Sequence, residues 1–372
     1  MKTPNSRPGI PPHPLAPATT APTLHATQRP RPPGRRRSAR PRPVRAMVPA
    51  LLAPLVLTAQ TCEPIDEDAS PTPPAQPPTM DTCKQWIEDA AGAQDLPAPE
   101  CAGDWAFFRD LLETEGGATF PVGDGRYFLL WFPEGWGAGD DTLVVSLHGT
   151  GGCAEWMMNW WYQTAGESGR GYAIAALQYY TRSSETYDDD EVIYQNLQDM
   201  IARIRSHCPL ETVDIVYHGF SRGSAQSFPI AVRDRAADQI FAAFIADSGT
   251  SSLSYDTLET AADDALTGAR FWMWCGAFDC STVEPTTTTC DRMETTMAPY
   301  VTGHGGTVDA IVSDPDGCHG IFNECSHGTL QCPDLDCEDD GGPSCNCYDC
   351  NNRTADNLGD SLPLLFDYID AL

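Results

Sequence analysis

Basic residues are scarce beyond the first 46 positions, and the scarcity excludes partners. Of the 23 Lys and Arg residues, ten lie in residues 1–46, where no acidic residue occurs. The other 13 stand against all 52 Asp and Glu, an excess of 39 negative charges over residues 47–372. Such a surface repels phosphate backbones and anionic headgroups, so nucleic acid is excluded as a partner. A bilayer-spanning run is missing as well: the apolar stretch 47–59 (MVPALLAPLVLTA) has 13 residues, whereas a helix needs about 20 to cross. No internal repeat is visible. What is present, 372 residues at 41% hydrophobic and 9% aromatic content, suffices for one sizeable core or two small ones.

The first 46 residues are rich in Pro, Arg and Ser and lack apolar periodicity, so they cannot bury enough surface to fold. Followed by the run 47–59, they have the layout of a charged region and apolar core of a signal peptide. Residues 1–61 are therefore read as a disordered basic leader plus signal peptide. Ala59 and Thr61 provide the small residues at −3 and −1 of a cleavage site before Cys62. Cys62 stands where a bacterial lipoprotein is acylated, although Ala59 occupies the place a lipobox gives to Leu. A lipid on Cys62 is the one membrane attachment expected. Residues 62–80, acidic and Pro-rich, read as a semi-rigid tether, and 81–372 as the folded domain, with 81–124 as an N-terminal brace. The domain is expected to work outside the cytoplasm, secreted or on the cell surface, as a monomer.

Fifteen cysteines fit that compartment, because setting Cys62 aside leaves 14 that can pair. Cys83 and Cys101 are disulfide candidates in the brace, and Cys280 and Cys290 are candidates for closing a short loop. Seven more lie from Cys318 to Cys350, most of them in a Cys-rich insert at 331–350. Zinc is the competing reading there, but Cys347 and Cys350 form the only C-x-x-C pair, and disulfides are preferred. Asp334, Asp336, Glu338, Asp339 and Asp340 offer oxygen ligands for calcium. Their spacing is not that of an EF-hand, so a stapled, solvated loop is expected and no metal.

From Gly125 onward, strand-like runs alternate with amphipathic stretches. Strands are predicted at 126–133, 142–147, 171–179, 212–217, 240–246, 270–275 and 307–313, and helices at 190–207, 224–237 and 357–372. The run 142–147 (TLVVSL) is apolar almost throughout, as in a strand covered on both faces. Strands separated by helices imply right-handed crossovers: a mostly parallel sheet with helices on both faces, a three-layer α/β domain. Ligands in such sheets sit beyond the carboxyl ends of the strands.

At one such end stands His218-Gly219-Phe220-Ser221-Arg222-Gly223, a G-x-S-x-G between a predicted strand and a predicted helix. A turn that tight needs its glycines and pushes the Ser221 hydroxyl into the open as a nucleophile. A serine nucleophile needs a base held by an acid. Asp279, after the strand 270–275, is the acid, with Asp247 as the alternative carboxylate. His319, after the last strand, is the base, while His304 and His327 read as loop residues. The small-residue turn His148-Gly149-Thr150-Gly151-Gly152 supplies an oxyanion hole: the backbone N–H of Thr150, or of Gly151 as fallback, with that of Arg222.

These segments, Leu147-His148-Gly149, Gly219-Phe220-Ser221-Arg222-Gly223, Asp279 and Asp316-Gly317-Cys318-His319-Gly320, together resemble the α/β-hydrolase superfamily. Within it they are most similar to secreted polyhydroxybutyrate-depolymerase-like and feruloyl-esterase-like enzymes, over roughly residues 125–372. The resemblance implies a carboxylic-ester hydrolase acting through an acyl-enzyme on a small-molecule or polymeric ester, without cofactor. Thr150-Gly151-Gly152 departs from the Cys-x-Gln of the depolymerase-like loop, and Arg222 stands where a small or acidic residue is commoner. A peptidase or amidase on the same fold, and a noncatalytic surface binding protein, are the rival readings. Trp156, Trp160, Trp161 and Tyr180 are candidates for the substrate cleft, with burial against the sheet as the alternative for the tryptophans.

Overall fold

The computed structural model describes residues 77–372 apart from 92–95, 97, 99, 101–104, 124, 138–140, 169, 182–183, 185, 252, 277–278, 280–287 and 315–360. The leader with its apolar run, Cys62, Cys101, Cys280, His319 and the insert 331–350 lie outside the described residues.

Helix α1 (Met80–Ala90) is capped by Thr79, whose hydroxyl accepts from the Thr82 N–H at 3.2 Å while the Thr82 hydroxyl accepts from the Thr79 N–H at 2.8 Å. The last residues of the stretch read as a tether therefore belong to a helix and its cap. There follow α2 (Ala106–Thr114), β1 (Gly117–Val122), β2 (Arg126–Trp131), β3 (Thr142–Leu147), α3 (Ala154–Ser168) and β4 (Ala173–Leu177). A small hairpin, β5 (Tyr180–Thr181) and β6 (Thr186–Tyr187), leads to α4 (Asp190–Arg205), β7 (Asp214–Phe220), α5 (Arg222–Ala236) and β8 (Ala243–Asp247). The chain ends with α6 (Tyr255–Glu259), β9 (Arg270–Gly276), α7 (Thr289–Arg292), a π turn Met293–Met297, α8 (Ala298–Gly303), β10 (Thr307–Asp314) and α9 (Ser361–Ile369).

Eight strands form one sheet in the order β1-β2-β4-β3-β7-β8-β9-β10. The pairs β1–β2 and β2–β4 are antiparallel, and every pair from β4–β3 onward is parallel. Both faces are covered, so β3 is buried along its whole length. Its Leu143, Val145 and Leu147 join the core under α1, α4 and α5, through Ile87, Leu197 and Phe228 among others, while Val144 joins the opposite core with Phe108, Met157, Trp161 and Leu365 of α2, α3 and α9. This topology, with its single run of parallel crossovers beyond an antiparallel edge, is the α/β-hydrolase fold. Strand β1, inside the segment read as a brace, escapes the pattern reading because Pro121 interrupts it; its exposed place on an edge strand is where a proline is tolerated.

Two disulfides tie the described elements together, and one of them corrects the expected pairing of Cys280 with Cys290. Cys83 bonds Cys208, tying α1 to the turn after α4 across 125 residues. Cys290 bonds Cys275 on β9 instead of Cys280, because α7 packs its start against that strand with Cα atoms 5.3 Å apart. Cys153 is disulfide-bonded as well. In the chain-entropy account a loop of 125 residues closed by Cys83–Cys208 stabilises by about 5 kcal/mol. The double substitution Cys83→Ala/Cys208→Ala is expected to lower the melting temperature by on the order of 10 °C, as calorimetry beside the wild type will read.

Candidate active site

Ser221 sits between β7 and α5 with φ 53° and ψ −109°, a conformation that a residue with a side chain adopts only under constraint. The constraint is close approach. A Cβ on Gly219 would lie 2.1 Å from the Gly223 carbonyl oxygen, one on Gly223 2.4 Å from the Leu147 oxygen, and one on Gly249 1.9 Å from the Ser221 oxygen. The Ser221 N–H donates to the Asp247 carbonyl at 2.7 Å, and its own carbonyl accepts from Ala225 at 3.0 Å, which starts the helix. The result is a partly exposed serine at the carboxyl edge of the sheet, at the N-terminal end of α5. Gly249 carries no motif signal in the sequence, since its contact with the turn is made across strands.

Two carboxylates follow neighbouring strands, and the structure gives them different surroundings. Asp279, beyond the end of β9, is buried, and its backbone is held on both sides: its N–H donates to Gly276 at 3.0 Å and its carbonyl accepts from Thr289 at 2.6 Å. The Cys275–Cys290 disulfide closes the same loop. Asp247 is committed beneath the turn, with Oδ2 3.5 Å from Nε2 of His218. Nδ1 of His218 lies 2.8 Å from the Ser146 hydroxyl, and Trp161 Nε1 donates to that hydroxyl at 3.2 Å. All of these groups are buried, and burial pushes the His218 pKa down to about 3, so the imidazole stays neutral. Asp247, the alternative carboxylate, is thus fully buried with its carboxylate beside His218. His319, the expected base, lies outside the described residues.

The loop after β3 presses on the nucleophile: a Cβ on Gly149 would come within 3.0 Å of Cβ of Ser221 and 2.9 Å of the Phe220 ring. His148 is fully buried, stacks on Tyr179 with ring centroids 4.4 Å apart, and receives the Tyr179 hydroxyl on its carbonyl at 2.5 Å. Burial foremost pushes its pKa down to about 4, with the charges of Arg126 and Arg222 acting in the same direction. Thr150 is exposed at the tip. The Gly151 N–H is already engaged by the Tyr187 hydroxyl at 2.6 Å, which corrects its reading as a fallback oxyanion donor. The Arg222 N–H is the first of α5 and has no intrahelical acceptor.

Tyr187 is the site residue that sequence reasoning missed. Its hydroxyl holds the loop, the Arg222 guanidinium lies 3.8 Å above its ring, and Tyr180 stacks on it at 4.4 Å. The hairpin that carries it is fastened by Arg126, which donates to Asp188 at 2.9 and 2.6 Å. A two-residue strand has no periodicity by which it could be found.

Of the cleft candidates, Trp161 is fully buried and bonded to Ser146, Trp160 is 7% exposed and stacks near His218, and Tyr180 is 7% exposed under Tyr187. These three belong to the core, since helical spacing in α3 turns Trp160 and Trp161 toward the sheet. Trp156 keeps partial exposure, edge-on to Phe220 at 5.5 Å. Among the described residues no cluster of three or more His, Cys, Asp or Glu side chains could hold a metal ion.

Sheet order and turn together have the arrangement of the α/β-hydrolase fold. No family model and no curated protein matches the chain. Among solved structures it is similar to Est1E from Butyrivibrio proteoclasticus, at 14% identity over 68% of this chain and 96% of that one, TM-score 0.41. It is also similar to a bacterial heroin esterase, at 17% identity over 63% and 89% of the two chains, TM-score 0.41. A fungal esterase from Rhizomucor miehei matches at 11% identity over 66% and 91%, TM-score 0.41.

Gly249→Ala is expected to destabilise by several kcal/mol, because backbone must move from a 1.9 Å approach; a melt unchanged from wild type would show that the turn is looser than described. Acid sensitivity follows from the two buried histidines. Their folded pKa values of about 4 and about 3 lie below the ordinary 6.5, so below about pH 6.5 the unfolded chain binds more protons. Stability should therefore fall as pH drops from 6.5 toward 4. Melting temperatures at pH 7, 6, 5 and 4 read this directly, and a rise over that range, as relief of surface repulsion alone would give, is the contrary outcome.

Proposed function

We propose that the chain is a serine hydrolase that cleaves carboxylic esters, of small molecules or polymers, through an acyl-enzyme. The observation that carries this reading is the backbone of Ser221, held at φ 53° by three glycine approaches, which presents this partly exposed residue at the carboxyl edge of the sheet. Ester hydrolysis is also what the fold class commonly hosts.

In the proposed reaction His319 takes the Ser221 proton as Oγ attacks the ester carbonyl. The former carbonyl oxygen, now an anion, receives the N–H groups of Arg222 and Thr150. Collapse of the intermediate expels the alcohol, which leaves with the proton from His319. Water, activated by the same imidazole, then hydrolyses the acyl-serine and restores the hydroxyl. Asp279, immobilised by Gly276, Thr289 and the Cys275–Cys290 link, orients the imidazole and stabilises its charged form. The disulfides support an oxidising compartment, and among the described residues no helix is long and apolar enough to cross a membrane. A secreted or surface-tethered enzyme, attached if at all through Cys62, is the corresponding location.

The test is labelling of the full chain, made in an oxidising compartment, by a fluorophosphonate probe, with p-nitrophenyl acetate turnover in parallel. Ser221→Ala should lose both. Asp279→Asn should retain its melting temperature within a few degrees while turnover drops by about 10³–10⁴-fold. Absence of labelling in folded, oxidised wild type refutes the hydrolase. Turnover of an ester with none of the matched amide separates it from a peptidase.

A further inference from the structure

Ester hydrolysis as proposed uses the backbone N–H of Arg222 and leaves its side chain without a role. Arg126, Arg233 and Arg270 each hold a carboxylate, in keeping with a chain so rich in them. Arg222 makes no ion pair among the described residues, although it is only partly exposed. Arg203 and Arg205 also make no ion pair among the described residues, but both are exposed, whereas Arg222 is partly buried. Its Nε is buried and has no acceptor among the described residues. A guanidinium N–H withdrawn from water without an acceptor is costly, the more so because it is charged. Stacking on Tyr187 at 3.8 Å engages the ring face of the guanidinium and leaves its in-plane Nε–H without an acceptor among the described residues.

The position is equally specific. Arg222 directly follows the nucleophile, and the ring beneath it is bonded through its hydroxyl to the Gly151 N–H at 2.6 Å, in the loop that abuts Ser221. A planar, bidentate donor is therefore fixed one tyrosine away from the reacting centre, in a protein whose net field otherwise repels anions. We infer that Arg222 is a specificity-determining residue, whose guanidinium receives a carboxylate carried by the ester substrate close to the scissile bond. The inference rests on the esterase reading and names its substrate class: anionic esters, whose carboxylate completes the fork that the protein leaves open.

Two matched pairs test it on the full chain, each comparing a carboxylate with its neutral amide. Mono-4-nitrophenyl adipate against the ω-amide places the charge on the acyl side; 4-acetoxybenzoate against 4-acetoxybenzamide places it on the leaving group. In wild type, kcat/KM for the anion should exceed that for the amide by about tenfold in one pair, equivalent to about 1.4 kcal/mol. Arg222→Met should bring that ratio to one or below, because the acidic field then acts unopposed, and Arg222→Lys should retain part of it. Raising salt should shrink the wild-type ratio. Each ratio is taken within one variant, so general damage to the loop or the turn cancels, and fluorophosphonate labelling of Ser221 counts intact sites. Turnover of both members of each pair without preference for the anion overturns the inference and leaves the esterase standing. Turnover of p-nitrophenyl acetate with none of the four esters cleaved overturns the inference alone, and absence of labelling together with all ester turnover overturns both.

Discussion

Much of the molecule converges on a few cubic ångströms of backbone where β7 turns into α5. Ser221 is forced to a positive φ because the chain must reverse within one residue, and it can do so only where Gly219, Gly223 and Gly249 present no Cβ. The hydrogen bond from its N–H to the Asp247 carbonyl joins the turn to the next strand. A residue at such an angle costs on the order of 1–3 kcal/mol, and the packed sheet on both sides is what keeps it there. Exposure of the hydroxyl, direction of α5 and approach of the 148–151 loop are consequences of that one local geometry.

Beneath it lies a second set of serine, histidine and aspartate, and comparing the two shows what burial decides. Ser146, His218 and Asp247 are within hydrogen-bonding reach in series, with Trp161 closing the set. All are enclosed, and the imidazole is held neutral far below its ordinary range, so no substrate or solvent proton reaches it. These side chains fill the interior beside the strand from which Ser221 springs. The proposed triad draws on the same residue types at strand ends, where a substrate can arrive.

Tyr187 links the two halves of the proposed oxyanion site. One face of its ring carries Arg222 and its hydroxyl carries the loop of Gly151, so the first N–H of α5 and the loop tip are spaced by a single rigid side chain. Arg126 and Asp188 fasten the hairpin beneath it. Of the two guanidinium groups here, Arg126 is paired with Asp188, whereas Arg222 makes no ion pair among the described residues.

From the order of residues alone followed the alternation of strands and helices, the three-layer architecture, the turn at Ser221 and the position of Asp279 after its strand, because each is a local pattern of apolar spacing or of glycine around a serine. Even the buried fate of Trp160 and Trp161 is a matter of helical phase. Strand β1 was hidden by its proline, and Gly249, Tyr187, the pairings of Cys83 with Cys208 and Cys275 with Cys290, and the commitment of Asp247 to His218 were decided by tertiary structure. These depend on which segments the crossovers bring side by side. Contacts between positions 125 residues apart, or between adjacent parallel strands, leave no periodic trace along the chain.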